Sequence, residues 1–143
     1  MERKRRGEAG VTLIEMLVVV VIIGLFVAIV GPRLFRNVDK AKRTAAHDQI
    51  AAYITALGTY KLDVGTFPTT EQGLQALRTA PEGVTNWQGP YTRQEIAPDP
   101  WGHPYIYKFP GEHGDEPDLI SYGADGAPGG DDNNADIVSW KSQ

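Results

Sequence analysis

The run from Val11 to Val30 is almost wholly apolar and lies directly behind the basic stretch MERKRRGEAG. At 1.5 Å rise per residue, about 20 apolar residues cover the roughly 30 Å of hydrocarbon in a bilayer. The segment therefore reads as a membrane-spanning helix, and the rest of the chain must fold as something attached to it. One residue breaks the run, Glu15. An ionised carboxylate among lipid tails is costly unless it is paired or reaches water. No Lys, Arg or His lies between Val11 and Pro32. A partner must then be a free α-amino group made by removing the leader, or a group on a neighbouring chain. By charge alone the plainer reading is a Glu near the membrane surface that snorkels into water.

The leader sets topology. Arg3, Lys4, Arg5 and Arg6 outweigh Glu2 and Glu8, so the positive-inside rule keeps residues 1–10 cytoplasmic and sends the chain after Val30 across the membrane. A secretory signal peptide is the rival reading, but its apolar region spans about 7 to 15 residues and ends at a small-residue cleavage site. Removing the leader's four bases and two acids moves the formal net charge from −4 to about −6, an acidic balance that argues against nucleic-acid binding. Once a long N-terminal helix is set aside, roughly 80 residues remain, enough for one small domain with a marginal core. The chain has no cysteine, which excludes disulfide bracing and thiol catalysis. Another staple is expected, either a metal or assembly with neighbours.

Beyond the membrane segment, Leu34, Val38, Ala41, Ala45, Ile50, Tyr53, Ile54, Leu57 and Tyr60 recur mostly at steps of three and four, which extends the helix with one apolar face. Gly31-Pro32 is expected to kink or locally melt the join. Arg33, Arg36, Asp39, Lys40, Lys42 and Arg43 fall just outside the membrane, where they can pair with neighbouring chains or lipid headgroups. Gly65 suits a helix C-terminus. Thr69 and Gln72 form a capping-box pattern that opens a second helix through Leu74, Ala76 and Leu77, stopping at Pro81. Residues 82–94 read as a Gly-, Pro- and Asn-bearing variable loop. Three short strands follow, Tyr105–Phe109, Leu119–Tyr122 and Ile137–Trp140, separated by Gly, Pro and Asp. The expected fold is α+β, with a small antiparallel sheet on the apolar face of the long helix, burying Trp101, Tyr107 and Ile120.

The segment Asp125 to Asp136 crowds hard oxygen donors into a glycine-rich loop. Such donors suit calcium better than magnesium, though the spacing is not an EF-hand and a solvated acidic loop explains the composition equally well. His47, His103 and His113 have no metal-ligand spacing and read as surface or turn residues; no hydrolase elbow or phosphate loop is present. The acidic pairs Asp131-Asp132 and Glu112 with Asp115 lie in glycine-rich loops unsuited to a dry pocket, and no catalytic residue is assigned.

Gly10-Val11-Thr12-Leu13-Ile14-Glu15 resembles the class III signal of type IV pilins and type II secretion pseudopilins. The resemblance implies that a prepilin peptidase cuts after Gly10 and methylates the new amino terminus at Val11, where the family usually has Phe. It also implies that Glu15 pairs with the ammonium of an adjacent subunit during assembly, and that the helix unwinds near Pro32 in the filament.

Tyr60-Lys61-Leu62-Asp63, Phe67-Pro68-Thr69-Thr70-Glu71-Gln72-Gly73-Leu74, Asp99-Pro100-Trp101-Gly102-His103-Pro104-Tyr105 and Pro110-Gly111-Glu112-His113-Gly114 resemble the major pseudopilin family of type II secretion, the protein G family. That resemblance implies a pilin-like fold with a leader at 1–10, a transmembrane and assembly helix at 11–31 and a periplasmic domain at 32–143, single-pass in the inner membrane. It implies a helical homopolymer that works with minor pseudopilins and an inner-membrane assembly platform to drive folded proteins through an outer-membrane secretin. It further implies a structural Ca²⁺ in the acidic loop. Asp125 matches the family's first aspartate and Asp136 the last, Asp132 and Asn134 compete for another side-chain position, and the Tyr122 carbonyl is a candidate ligand. Two alternatives stand beside this reading: a true type IV pilin, and a monomeric membrane-anchored periplasmic calcium-binding module.

Overall fold

A computed structural model of the chain describes residues 11–141, apart from the side chains of 33–36. They fall into two compact units divided between Val38 and Asp39. The helix α1, Leu13–Val64, contributes to both.

In the first unit, the side chain of Thr12 caps the start of α1, accepting the Glu15 N–H at 3.3 Å. The large apolar side chains from Val11 to Val30 are exposed, Leu13 at 88%. This stretch is long and apolar enough to cross a membrane, and none of it is buried within the chain. Pro32 lies inside α1 without ending it, so the helix is not melted at Gly31-Pro32. A proline deletes one amide donor, and hydrogen bonding in the flanking turns carries the helix past that gap.

In the second unit, α1 buries Ala46, Ile50, Tyr53, Ala56, Leu57 and Tyr60. The spacing of four, three, four and three through 46, 50, 53, 57 and 60 marks one helical face. The stripe is narrower than the periodicity suggested. Ala41 and Ala45 are exposed, as is Val38; Ala46 takes the inward place. Gly65 ends α1 with φ +92°, its N–H reaching the Lys61 carbonyl at 2.8 Å. That left-handed conformation is cheap only for glycine.

The capping box forms reciprocally. The Thr69 N–H reaches Gln72 Oε1 at 2.9 Å and the Gln72 N–H reaches Thr69 Oγ1 at 3.3 Å. It opens turns leading into a single 3-10 turn, Leu74–Leu77, rather than an α-helix running to Pro81. Leu74, Ala76 and Leu77 are nonetheless buried in the core.

Three strands, β1 (Ile106–Lys108), β2 (Asp118–Ser121) and β3 (Ile137–Val138), form an antiparallel sheet in the order β1-β2-β3. All are shorter than their apolar patterns. Tyr107 pairs with Leu119 and Ser121 with Ile137, and these four are buried. Ile120, expected in the core, is only half-buried and pairs with Ile106 and Val138 on the opposite face. Side chains alternate across a strand, so burying Leu119 turns Ile120 outward. Trp101 packs at the margin of the core and is likewise half-buried. Residues 82–94 are more than a variable loop. Trp87 Nε1 donates to the Ala76 carbonyl at 2.8 Å, the Tyr91 hydroxyl to Asp63 Oδ2 at 2.9 Å, and the Tyr91 ring meets Tyr60 and Trp87 edge-on.

Candidate assembly segment and metal loop

The first candidate site is the start of α1. Gly10 lies outside the described residues. Val11 is exposed and precedes the helix, and Glu15 is exposed in its first turn. Among the described residues the Glu15 carboxylate has no hydrogen-bond partner. Thr12-Leu13-Ile14-Glu15 also follows the pattern of a capping box, which the sequence reading missed. A carboxylate in the first turn faces the positive end of the helix dipole, so Glu15 suits that turn even before any external partner reaches it.

The second is the acidic loop, built from two 3-10 turns, Gly123–Asp125 and Asp132–Asn134, that pack on each other. Their closeness requires Gly123, because a Cβ there would stand 2.9 Å from the Asn133 carbonyl oxygen, and φ is +68°. The structure does not gather the carboxylates of Asp125, Asp132 and Asp136. Among the described residues no three His, Cys, Asp or Glu side chains form a group that could hold a metal. Asp125 is exposed and caps its own turn, its Oδ1 accepting the Ala127 N–H at 3.2 Å. Asp132 and Asn134 are exposed; Tyr122 is half-buried just before the first of the two turns. Short Asx-type bonds compete with convergence, a local effect that residue spacing does not reveal.

Asp136 differs. Its Oδ2 accepts the Gly129 N–H at 3.0 Å, while its Oδ1 is buried without a partner. An unsatisfied buried carboxylate oxygen carries an uncompensated desolvation penalty. A hard cation is the chemistry that would relieve it, and calcium, which takes oxygen ligands in flexible geometry, is of that class. Asp136 is therefore the residue through which this loop could hold such an ion, rather than a cluster of three carboxylates.

Two supports that spacing did not flag hold this loop. Under its first half lies the Asp99–His103 turn. Asp99 is buried; its Oδ1 accepts the N–H groups of Trp101 and His103 at 3.1 and 2.8 Å, and its Oδ2 accepts the Ser121 hydroxyl at 2.6 Å. Ser121 Oγ in turn accepts the Gly123 N–H at 3.3 Å. The His103 ring lies 3.2 Å from the Gly123 carbonyl through Nδ1, and a Cβ on Gly126 would stand 2.9 Å from it. Against the second half lies α1, where Arg43 Nη1 donates to the carbonyls of Asp132 and Ala135, both at 2.9 Å. His103 is thus part of the framework rather than a plain turn residue. So is His113, which stacks on Trp140 at 3.7 Å between ring centroids and meets Asp118 Oδ2 at 2.8 Å. Burial alone would raise the Asp118 carboxyl, but the bonds from His113 and from the Glu112 N–H outweigh it and hold the group below its ordinary range.

Residues 33–140 match the family profile described as "Type II secretion system (T2SS), protein G". The chain belongs to the type II secretion protein G family. Residues 5–31 match the prokaryotic N-terminal methylation motif, which includes Gly10, Val11 and Glu15. Among relatives, the type II secretion system core protein G of Pseudomonas aeruginosa is 46% identical over 140 residues, covering 96% of this chain and 98% of that one. The core protein G of Vibrio cholerae is 42% identical over 144 residues, covering 99% and 97%. The crystal structure of the major pseudopilin from the type 2 secretion system of enterohaemorrhagic Escherichia coli superposes with a TM-score of 0.61 at 37% identity, over 76% of this chain and 95% of that one. As a protein G the chain is a pilin-like structural subunit of the type II secretion pseudopilus, with a long N-terminal helix and a small three-stranded antiparallel sheet. Its N-terminal segment carries a methylation motif, and its apolar helix suits membrane anchoring.

Proposed function

We propose that the chain enters the inner membrane as a single-pass precursor, with residues 1–10 cytoplasmic and 32–143 periplasmic. A prepilin peptidase then cuts after Gly10 and methylates Val11. Mature copies leave the bilayer and assemble into a helical homopolymer with minor pseudopilins and an inner-membrane assembly platform. Growth of this fibre pushes folded proteins toward the outer-membrane secretin. The chain itself does no catalysis. The observation that carries this reading is the apolar stretch Val11–Val30, helical from Leu13, exposed along its length and marked by one acid in the first turn of α1. Lipid can cover that surface before assembly and neighbouring helices can cover it afterwards. Glu15, in register with a neighbour's ammonium, would fix the offset between helices, since an ion pair in a low dielectric is strong.

Ca²⁺ would serve as the staple of the cysteine-free domain, held by Asp136 with loop carbonyls and with Asp125 at the opposite end. Bound only by the native state, it adds about 2.7 kcal/mol at 100 times Kd.

The test is expression in a host with an intact type II system. The mature protein should begin at a methylated Val11 by mass spectrometry, and native copies should crosslink helix to helix. Glu15→Ala should still be cleaved but should lose crosslinking and secretion. An amino terminus left at Met1 would sink the processing claim; wild-type crosslinking by Glu15→Ala would sink the register claim.

A further inference from the structure

Resting on the calcium reading above, we propose that Asp39 and Arg43 of α1 are positioning residues for the cation site of the acidic loop, although neither lies in that loop. Arg43 Nη1 donates to the Asp132 and Ala135 carbonyls, both at 2.9 Å, and Asp39 Oδ2 accepts Asn133 Nδ2 at 2.9 Å. The two residues stand four apart, one above the other on the same helical face. Together they grip the 3-10 turn Asp132–Asn134 at its first and middle residues and at Ala135 just after it, from 89 to 94 residues away in sequence.

Apart from its packing on the Gly123–Asp125 turn, the second half of the loop is held from outside by these bonds. Residues 125–135 are exposed or half-buried and include Gly126, Gly129 and Gly130 at positive φ. Bonds to a rigid helix therefore decide where the turn sits. The Ala135 carbonyl lies in the peptide that leads into Asp136, so anchoring it sets the direction from which the orphaned Asp136 oxygen is presented. The carbonyls of Asp132 and Ala135 are also turned toward Arg43, which leaves them committed to the guanidinium.

Two effects of Arg43 oppose each other. As an anchor it raises affinity by holding the ligand in place. As a positive charge near a dication it lowers affinity. Outer-shell partners of metal ligands typically contribute 10- to 100-fold in affinity, whereas a part-exposed charge is heavily screened. The anchoring effect wins, and calcium binding becomes coupled to order in this stretch of α1.

The experiment measures Ca²⁺ affinity by titration calorimetry on the full chain in detergent micelles, with melting in calcium and in chelator alongside. Arg43→Gln should weaken calcium about 10-fold or more. Arg43→Lys, whose ammonium can still donate to both carbonyls, should recover part of the loss. Asp39→Ala should weaken binding by a smaller factor. An affinity unchanged or tightened in Arg43→Gln overturns the proposal, as does a variant that melts lower in chelator while keeping the wild-type Kd, the signature of a purely structural role. Should Arg43→Gln fail to fold by circular dichroism, Asp39→Ala decides, and a wild-type Kd there overturns it. A wild-type chain that shows no calcium-dependent shift removes the calcium reading itself, an outcome visible before any variant is made.

Discussion

Replacing Asp99 tests how the domain supports its acidic loop without a disulfide. The buried carboxylate accepts three hydrogen bonds, from the N–H groups of Trp101 and His103 and from the fully buried Ser121 hydroxyl. Hydrogen bonds to a charged acceptor contribute about 1.5–3 kcal/mol each, and an orphaned buried donor costs about 1–3 kcal/mol. Trp101 and His103 are half-buried, so water can recover much of their share, whereas water cannot reach Ser121. Asp99→Ala should therefore cost about 3–4 kcal/mol, a large part of the roughly 5–15 kcal/mol that holds a small domain together. Asp99→Asn keeps the shape and one carbonyl acceptor for the two N–H groups but meets Ser121 Oγ with an amide. It should cost about half as much. Urea denaturation of the full chain in micelles, followed by tryptophan fluorescence in chelator, reads both variants against wild type. A loss below about 1 kcal/mol for Asp99→Ala, or equal losses for the two variants, would refute the account of a buried carboxylate bridging the turn to β2.

Three further outcomes follow from the geometry. Because Asp118 is held below its ordinary range, its contribution is present above the unfolded carboxyl pKa of about 3.9 and is lost as pH falls through the folded value. Melting temperature should therefore drop as pH falls below about 4, and a profile just as steep in Asp118→Asn would contradict this. Gly126→Ala combines φ +66° with a close approach to the His103 ring, whereas Gly129→Ala combines φ +92° with open space. The first should cost about 1 kcal/mol more than the second in urea titrations, and equal costs would show that the ring simply moves aside. Asp136→Asn should abolish the calcium-dependent rise in melting temperature while melting no lower than wild type in chelator, because it removes the orphaned charge; a calcium response of wild-type size would exclude Asp136 as a ligand.

Much of the framework is legible because it is coded locally. The apolar run of Val11–Val30 marks a long helix, and Gly65 supplies the left-handed residue that ends α1. Thr69 and Gln72 are three apart, the spacing at which each side chain reaches the other's amide. The acidic loop was visible as a concentration of oxygen donors. The conformation of its side chains was not visible, because the turn of the Asp125 carboxylate toward the Ala127 amide is settled by a side-chain torsion that residue spacing does not encode.

The sequence by itself determined that this chain has an apolar N-terminal helix bearing a single early acid, a small α+β domain without cysteine, and the motifs of its family. Each of those rests on neighbours within a few residues, where helix period, caps and turns act. Tertiary structure alone decided that Leu119 rather than Ile120 enters the core, that Ala46 rather than Ala45 is buried, and that Asp99 and Arg43 hold opposite halves of the acidic loop. Strand parity is set by pairing across the sheet, and those polar contacts join residues from 22 to 92 positions apart. No local pattern encodes such partners, because what selects them is the cost of leaving a buried polar group without a bond once the core has closed.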